Sequence, residues 1–239
     1  MKKFKKVKIL DLSISVLSLG ETIKEIISWI NINKGGVIYC CTLNEVVMAS
    51  EDVRIRRILV NGDILTPDGM PLVWDLRLKG FKIAQRVYGP ELLEKFLLVN
   101  KAKIKCLFIG GLKNKKYFSK FGKYLVLPYK DEFDNRDYKE MVEIIENSQA
   151  KIIWIGLGAK KQIIVANELL KRLPGRVYVT VGAAFDFLSG YKKQAPRWLR
   201  QIGGEWIFRC IQEPNRLIKR YLKIIWFLLK NTKIFEVKR

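Results

Sequence analysis

Residues 151–182 read KIIWIGLGAKKQIIVANELLKRLPGRVYVTVG, and this stretch predicts the fold. Two continuous apolar runs, IIWIG and VYVTV, flank a segment with the apolar spacing of an amphipathic helix. A strand that is apolar on both of its faces lies in a sheet that helices cover on both sides. A strand, a helix and a second strand of this kind therefore predict a parallel sheet.

The same alternation of strand-like and helix-like segments fills roughly the first 180 residues. Further strands are expected in KVKILDLSISVL (6–17), GVIYCCTL (36–43), DILTPDG (63–69) and KCLFIGG (105–111). Helices are expected at 20–32, 44–62, 70–80, 89–101 and 136–149. The pattern predicts an α/β fold, with a mostly parallel, Rossmann-like sheet, helices on both faces and a helical C-terminal appendage. We expect the core to span residues 1–190 and the appendage residues 191–239.

The composition excludes several kinds of site. The chain has 239 residues and no histidine, which excludes a Ser-His-Asp triad, a Cys-His pair and histidine metal ligands. The four cysteines, Cys40, Cys41, Cys106 and Cys210, lack CxxC spacing, so buried thiols are expected and no zinc site or disulfide. Neither GxGxxG nor GxxxxGK[ST] is present. Without a visible signal peptide or a spanning apolar run, the chain is expected to stay in the cytoplasm.

The chain is strongly basic, with 45 Lys and Arg against 23 Asp and Glu and a formal net charge of +22. Nucleic acid, an anionic membrane surface and phosphorylated substrates are the partners that suit such a charge. Residues 191–239 alone hold 13 basic and 3 acidic residues, a net charge of +10. The C-terminal segment is therefore the expected place for an anionic partner.

The predicted strands end in glycine or in small polar residues. Because the carboxyl ends of parallel strands share one edge of the sheet, ligands bind at that edge. Glycine there lets a phosphate approach the backbone N–H groups at the start of a helix. The residues expected at this edge are Thr42, Asn44, Asp68, Gly110, Gly111, Gly156, Gly158 and Gly182.

Asp68 stands in LTPDGMPLVW, residues 65–74, where a strand gives way to a helix. One interpretation is local, because Pro67, Asp68 and Gly69 have turn chemistry and Asp is favoured in turns and at helix N-caps. The other is functional, since a chain without histidine must use Asp, Glu, Lys, Tyr or Cys for acid–base chemistry. On these residues alone both interpretations stay open.

After Gly182 the strand signals give way to two or three helices rich in Trp, Phe, Arg and Lys. A helix is expected over residues 216–230, with apolar residues at helical spacing. A helix packed on the core explains this apolar stripe. A basic, aromatic helix lying on a membrane explains the stripe and the further apolar surface. The residues expected to meet lipid are Lys219, Arg220, Lys223, Trp226 and Phe227.

Five stretches together resemble the WecG/TagA/CpsF glycosyltransferases, glycosyltransferase family 26. They are TPDGMPLVW (66–74), RVYGPEL (86–92), FIGG (108–111), WIGLGAKKQ (154–162) and VGAAFDFLSGYKKQAPRWLRQIGGEWIFRCIQEPNRLIKRYL (181–222). The resemblance implies an inverting, metal-independent enzyme that moves an N-acetylmannosamine-type sugar from a UDP donor to polyprenyl-diphosphate-linked N-acetylglucosamine. It implies no cofactor, a role in teichoic acid or other cell-surface polysaccharide synthesis, and an appendage that completes the site at the membrane. A homo-oligomer is compatible with it.

Positions that match the family's motifs take their expected roles from the resemblance. Asp68 matches the proposed catalytic Asp after Thr-Pro. The matching substrate-binding positions are Thr42, Asn44, Arg86, Gln162, Arg209 and Arg216, and a further basic position matches Lys219 or Arg220. Lys160 and Ile163 depart from the family's pattern, which has Pro and Glu there, and this leaves the donor sugar open.

Transfer with inversion needs a base for the acceptor hydroxyl and positive charge for the departing UDP. Asp68 suits the first role, and the arginines of the appendage suit the second. DEFD at 131–134 is the nearest approach to an acidic metal motif, and we expect it to be a solvated loop. Asp186 is expected either to be structural or to orient a sugar hydroxyl.

The expected location is the inner face of a bacterial plasma membrane, with peripheral attachment. A nucleic-acid-binding module and a non-catalytic UDP-sugar-binding scaffold stay open as alternatives. The first lacks any nucleic-acid-binding motif, and the apolar content of the C-terminal segment exceeds what a phosphate-binding surface needs. We therefore expect no nucleic acid partner.

Overall fold

The computed structural model describes residues 4–231 and residue 234. In this part of the chain the strands are β1 (Lys6–Ile9), β2 (Leu12–Ser15), β3 (Gly36–Cys41), β4 (Ile64–Pro67), β5 (Cys106–Gly110), β6 (Lys123–Val126), β7 (Ile152–Gly156) and β8 (Val177–Thr180). Six of them form one sheet in the order β4-β3-β8-β7-β5-β6, and every neighbouring pair runs parallel. The predicted α/β fold with a parallel, Rossmann-like sheet is confirmed.

The helices connect the strands and then continue to the C-terminal end. Over the described residues they are α1 (Leu19–Asn31), α2 (Leu43–Glu51), α3 (Val53–Val60), α4 (Met70–Leu78), α5 (Gly89–Asn100), α6 (Lys115–Phe118), α7 (Asn135–Ser148), α8 (Ala159–Arg172), α9 (Ala184–Leu188), α10 (Arg197–Gln201), α11 (Glu205–Gln212) and α12 (Pro214–Lys230). A short 3-10 turn, Leu112–Asn114, precedes α6.

Each face of the sheet packs into its own apolar layer, which explains the continuous apolar strands. In β3, Tyr39 and Cys41 enter one layer, whereas Ile38 and Cys40 enter the other. Successive side chains of a strand point to opposite faces, so a strand buried on both faces needs an apolar residue at every position. Every residue of β3 is buried.

The N-terminal segment, residues 6–17, contains β structure as predicted, but in two strands. It forms an antiparallel hairpin, β1 with β2, separate from the main sheet. The chain turns at Leu10, whose φ of 51° is left-handed, and Asp11 follows it. The hairpin lies beside β4, where the buried Ser15 hydroxyl accepts a hydrogen bond from the backbone N–H of Leu65. Leu10 gave no sequence signal for the turn, because leucine rarely adopts that conformation.

Two other parts of the chain differ from the prediction. The single helix expected over residues 44–62 is divided into α2 and α3, because Asp52 is extended and its carboxylate accepts from the N–H groups of Arg54 and Ile55. The edge strand β6 was not predicted at all. It has four residues and begins with the exposed Lys123, so it lacks the apolar run that identifies the buried strands.

The predicted helical C-terminal segment is present, and it packs against the α/β core. On α12, Leu217 and Ile224 are buried. The segment also approaches α4 at Gly203, where an added Cβ would lie 2.7 Å from the Trp74 ring. Four helices, α9 to α12, follow β8 in the described part, against the two or three expected. Residues 232, 233 and 235–239 of the predicted appendage lie outside the described residues.

Glycines at two strand ends make room for an aromatic ring. A Cβ on Gly156 would lie 2.7 Å from the Phe185 ring, and one on Gly110 would lie 2.8 Å from the same ring. Phe185 is itself fully buried against Phe108 and Phe118. At Gly158, two residues beyond β7, a Cβ would meet nothing within 4 Å.

This difference predicts the stability of two matched variants. Gly156→Ala forces the Phe185 ring to move, and overpacking of this kind costs about 1–3 kcal/mol in the free energy of unfolding. Gly158→Ala adds the same methyl group in open space. Alanine is the poorer N-cap residue, but it also restricts the unfolded chain, so the net cost should stay below about 1 kcal/mol. Urea unfolding of the two variants measures the difference. Equal destabilisation would contradict the packing role of Gly156.

Candidate active site

A cavity of about 500 Å³ lies at the carboxyl edge of the sheet. It is lined by residues that follow β3, β4, β7 and β8 and by residues of α11 and α12. Among the predicted site residues, those lining it are Thr42, Asn44, Asp68, Arg86, Gly156, Gly158, Gln162, Gly182, Arg209, Arg216 and Arg220. The cavity thus brings together strand ends and the C-terminal helices.

Asp68 directly follows β4 and points away from its own turn. Its backbone N–H donates to the Cys41 carbonyl at 2.7 Å, which extends the pairing of β4 with β3. Its Oδ2 accepts from the N–H of Gly89, the first residue of α5, at 3.0 Å. The N-cap of α4 is Gly69. Asp68 is therefore not the N-cap of α4, and its carboxylate faces both the cavity and the start of α5.

Burial raises the pKa of the Asp68 carboxyl. The side chain is almost enclosed, and burial raises the pKa of its carboxyl from 3.8 to about 6. The nearby Arg86 guanidinium and the Gly89 N–H limit this rise, because both stabilise the carboxylate. A carboxylate that titrates close to neutral pH is a stronger proton acceptor than an exposed one and is still ionised at pH 7. Asp68 has the properties of a general base.

Arg86 lies between two carboxylates. Its Nη2 is 2.8 Å from Glu205 Oε2 and 3.3 Å from Asp68 Oδ1, and its Nε donates to the Asp68 carbonyl. The guanidinium also stacks on the Tyr88 ring, with Cζ 3.9 Å from the ring centroid. Arg86 lines the cavity, and its predicted role in substrate binding stays a prediction. Its contacts to Asp68 also help to hold that residue in place.

Glu205 was not predicted from the sequence as a site residue. It is the first residue of α11, it is buried, and its Oε1 accepts from the Tyr88 hydroxyl at 3.1 Å. The Tyr88 hydroxyl in turn accepts from Gln194 Nε2 at 3.0 Å. The one available signal was the GGEW stretch quoted for the family resemblance, but its contact with Arg86 spans 119 residues. A contact between residues so far apart along the chain cannot be inferred from sequence spacing.

Thr42 and Asn44 surround a buried carboxylate that the sequence did not single out. Thr42 is the N-cap of α2, and its hydroxyl donates to Glu45 Oε2 at 2.6 Å. Asn44 Nδ2 is 3.3 Å from Glu45 Oε1. Glu45 is the third helical residue, so the arrangement is a capping box that turns the polar start of α2 towards the cavity. The sequence TLNE carried this signal.

Gln162 positions the loop after β8. Its side chain is buried on α8, and its Oε1 accepts from the N–H of Gly182 at 2.9 Å. Gly182 has a φ of 57°, a conformation that favours glycine. Gly110 and Gly111 end β5 farther along the sheet and do not line the cavity. The predicted ligand edge is thus occupied mainly by β3, β4, β7 and β8.

Three arginines of the C-terminal helices face the cavity: Arg209, Arg216 and Arg220. Arg216 pairs with Glu213 at 2.7 Å. Within the described residues, neither Arg209 nor Arg220 forms an ion pair with a carboxylate. Burial, together with the positive charges of Arg209 and Arg216, lowers the pKa of the Arg220 guanidinium. Excess positive charge facing a cavity is an arrangement that binds phosphates.

The residues expected to contact lipid lie in different environments. Arg220 lines the cavity, and Lys219 and Trp226 do not. Lys223 pairs with Glu51 of α2 at 2.6 Å, and Phe227 packs partly against the core. Trp226 is exposed, and Lys230 lies over its ring.

The remaining predictions concern acidic residues and the departures from the family pattern. Asp186 lines the cavity, accepts from Asn114 Nδ2 at 2.9 Å and pairs with Lys192 at 3.3 Å. Asp131 and Glu132 are exposed in a loop, as predicted, whereas Phe133 packs against the core and Asp134 is the N-cap of α7. Lys160 pairs with Asp52, and Ile163 is buried in the core.

The four cysteines are free thiols, as predicted. Three are buried, and burial raises the pKa of the Cys40, Cys41 and Cys106 thiols. Over the part of the chain that the structure describes, no group of three or more Cys, Asp or Glu side chains is placed to hold a metal ion. In the same part of the chain no helix is long and apolar enough to cross a membrane.

A family model described as the glycosyl transferase WecG/TagA/CpsF family matches residues 7–237 of the chain. The chain belongs to the WecG/TagA/CpsF glycosyltransferase family. The protein is therefore a hexosyltransferase of cell-surface polysaccharide synthesis, with a nucleotide-sugar donor and a lipid-linked acceptor. In this WecG/TagA/CpsF glycosyltransferase the cavity at the sheet edge is the candidate active site.

The environment of Asp68 predicts how activity depends on pH. A base with a pKa of about 6 is increasingly protonated as the pH falls below that value. The kcat/KM for transfer should then fall roughly tenfold for each pH unit below the pKa and reach a plateau above it. Initial rates from pH 4.5 to pH 8, with a stability check at each pH, measure this profile. A flat profile across this range in folded enzyme would contradict a base at Asp68.

Proposed function

We propose that the protein transfers an N-acetylmannosamine-type sugar from a UDP donor to polyprenyl-diphosphate-linked N-acetylglucosamine, with inversion at the anomeric carbon. The observation that carries this proposal is the cavity itself. It is lined by a buried carboxylate with a raised pKa, Asp68, and by Arg209 and Arg220, which have no carboxylate partner among the described residues. A base and cations that can bind a diphosphate in one cavity are what a direct displacement needs.

In the proposed reaction the acceptor hydroxyl lies next to Asp68. As the hydroxyl oxygen bonds to the anomeric carbon, the bond from that carbon to the diphosphate oxygen breaks, and Asp68 accepts the hydroxyl proton. One displacement on the face opposite the leaving group inverts the configuration. The contacts to Arg86 and Gly89 fix the direction of the carboxylate, so it is held ready for the acceptor.

The departing UDP carries negative charge, and two features support its stabilisation at this cavity. The arginines of α11 and α12 can donate several hydrogen bonds to diphosphate oxygens. The start of α8, where Gly158 and Ala159 line the cavity, has no side-chain cap, so its N–H groups are available to an anion. We propose that this charge arrangement allows transfer without a metal ion.

The departures at Lys160 and Ile163 do not alter the cavity wall directly. Ile163 is enclosed in the core, and Lys160 is paired with Asp52 at 2.8 Å. Neither residue lines the cavity. We therefore keep an N-acetylmannosamine-type sugar as the proposed donor, and cell-surface polysaccharide or wall teichoic acid synthesis as the proposed pathway.

We further propose that α12 attaches the enzyme peripherally to the inner face of the plasma membrane. One row on this helix, Leu217, Tyr221, Ile224 and Leu228, is buried or packed on the core cluster. A second row is exposed: Ile218, Leu222 and Leu229 lie outside the cavity lining, and Ile225 also lines the cavity. Both rows have helical spacing, so each forms one face of α12. The interpretation as a helix packed on the core suits the first face, and the interpretation as a helix lying on a membrane suits the second. Exposed apolar residues beside Lys219 and Lys230 suit an anionic lipid surface.

Substitution of Asp68 by Asn tests the proposed reaction. The asparagine amide can still accept the Gly89 hydrogen bond but cannot take up the proton, so UDP release with donor and acceptor should fall by about 10²–10⁴-fold. UDP-N-acetylmannosamine and a short-chain polyprenyl-diphosphate-N-acetylglucosamine analogue serve as substrates, with EDTA added in parallel. UDP affinity should change little, and the unfolding midpoint, measured in parallel, shows whether the variant is folded under the assay conditions.

Activity of the Asp68→Asn variant within threefold of the unsubstituted enzyme would limit Asp68 to capping α5. If the unsubstituted protein binds UDP but releases none from any UDP-sugar in a panel, the non-catalytic scaffold is the better account.

A further inference from the structure

We propose that Glu205 is a positioning residue of this active site. When α11 is docked against the sheet edge, Glu205 holds Arg86, and the Asp68 carboxylate stays available as a base. The inference rests on the proposed function and extends it. It assigns a role to a contact between the C-terminal helices and the sheet edge.

The first observation is that one guanidinium nitrogen serves two carboxylates. Arg86 Nη2 is closer to Glu205 Oε2, at 2.8 Å, than to Asp68 Oδ1, at 3.3 Å. The guanidinium is planar and is fixed by its stack on Tyr88, so it cannot turn freely towards either partner. The stronger contact to Glu205 therefore leaves Asp68 with a long, weak one.

The second observation is that Glu205 itself is held firmly. Its other oxygen accepts from the Tyr88 hydroxyl, and that hydroxyl accepts from Gln194, which also belongs to the C-terminal segment. Side chains of the sheet edge and of the C-terminal segment thus alternate in one closed network. A buried network of this kind is stable only when all its members are present. Removal of Glu205 opens it at the point nearest Asp68.

The third observation concerns the charges around Asp68. The charged and titratable groups that face it are Arg86 and Tyr88 before α5, Cys40 and Cys41 of β3, Glu45 of α2, and Glu205 of α11. Arg86 favours the carboxylate, whereas Glu205 and Glu45 disfavour it. With Glu205 absent, Arg86 would have Asp68 as its only carboxylate partner. A carboxylate in an exclusive ion pair with arginine accepts a proton less readily.

The consequence links the two halves of the site. Glu205 begins α11, the helix that also carries Arg209 to the cavity. When α11 is docked, the contact between Arg86 and the Asp68 carboxylate is long, at 3.3 Å, and Arg209 lines the cavity as a cation for the diphosphate. The same helix therefore sets up both ends of the proposed displacement.

The test is the pH profile of kcat/KM in the full-length enzyme, with UDP-N-acetylmannosamine and the short-chain acceptor analogue. Glu205→Gln removes one negative charge near Asp68. The acid limb of the profile, where kcat/KM falls with falling pH, should therefore move to lower pH, and kcat/KM on the plateau above it should fall by about tenfold or more. Glu205→Asp restores the charge and should return the limb towards its original position. Glu91→Gln removes an equal charge from the exposed side of α5 and should leave the profile unchanged.

Tyr88→Phe provides a milder second variant. It keeps every charge and removes only the hydroxyl that orients Glu205, so the limb should move in the same direction by a smaller amount. A lower plateau without a shift of the acid limb in Glu205→Gln would overturn the proposal, because a structural defect alone has that effect. If Glu205→Gln does not fold, the same result in Tyr88→Phe would overturn it. Absence of any acid limb in the unsubstituted enzyme is a different failure, since it removes Asp68 from the base role altogether.

Discussion

The Arg86 guanidinium, enclosed between the carboxylates of Asp68 and Glu205, is the interaction on which the rest of the site depends. Asp68 comes from the end of β4 and Glu205 from the first turn of α11. Charges are stable in a protein interior only when they are paired and hydrogen-bonded. Loss of either carboxylate would leave Arg86 less neutralised, so the sheet edge and the C-terminal helices stabilise each other.

This constraint explains how the functions are distributed along the chain. The parallel sheet provides a rigid edge, where Asp68 and the capped start of α2 are fixed by backbone hydrogen bonds. The arginines proposed to bind a diphosphate line the same cavity from α11 and α12. The outer side of α12 is apolar and exposed. In the proposed function, one helix thus meets the lipid on one side and the departing nucleotide on the other.

Much of this was accessible from the sequence, and the failures have physical causes. The continuous apolar strands predicted the sheet, and the strand-end position predicted that Asp68 lies at the cavity. The role of Glu205 was not accessible, because its contacts to Arg86 and Tyr88 depend on how distant segments pack. The hairpin turn at Leu10 and the short strand β6 follow from packing against neighbours, which local propensity does not encode.

In the proposed function the C-terminal helices belong to the active site and are more than a membrane anchor. Arg220 and Lys219 are neighbours on α12, but Arg220 lines the cavity and Lys219 does not. Transfer to a water-soluble acceptor analogue, measured in Arg220→Ala and Lys219→Ala without membranes, separates the two roles. The account predicts a loss of about 10²-fold or more in kcat/KM for Arg220→Ala, as for other transition-state charge contacts, and less than threefold for Lys219→Ala. Equal activity of the two variants would contradict it.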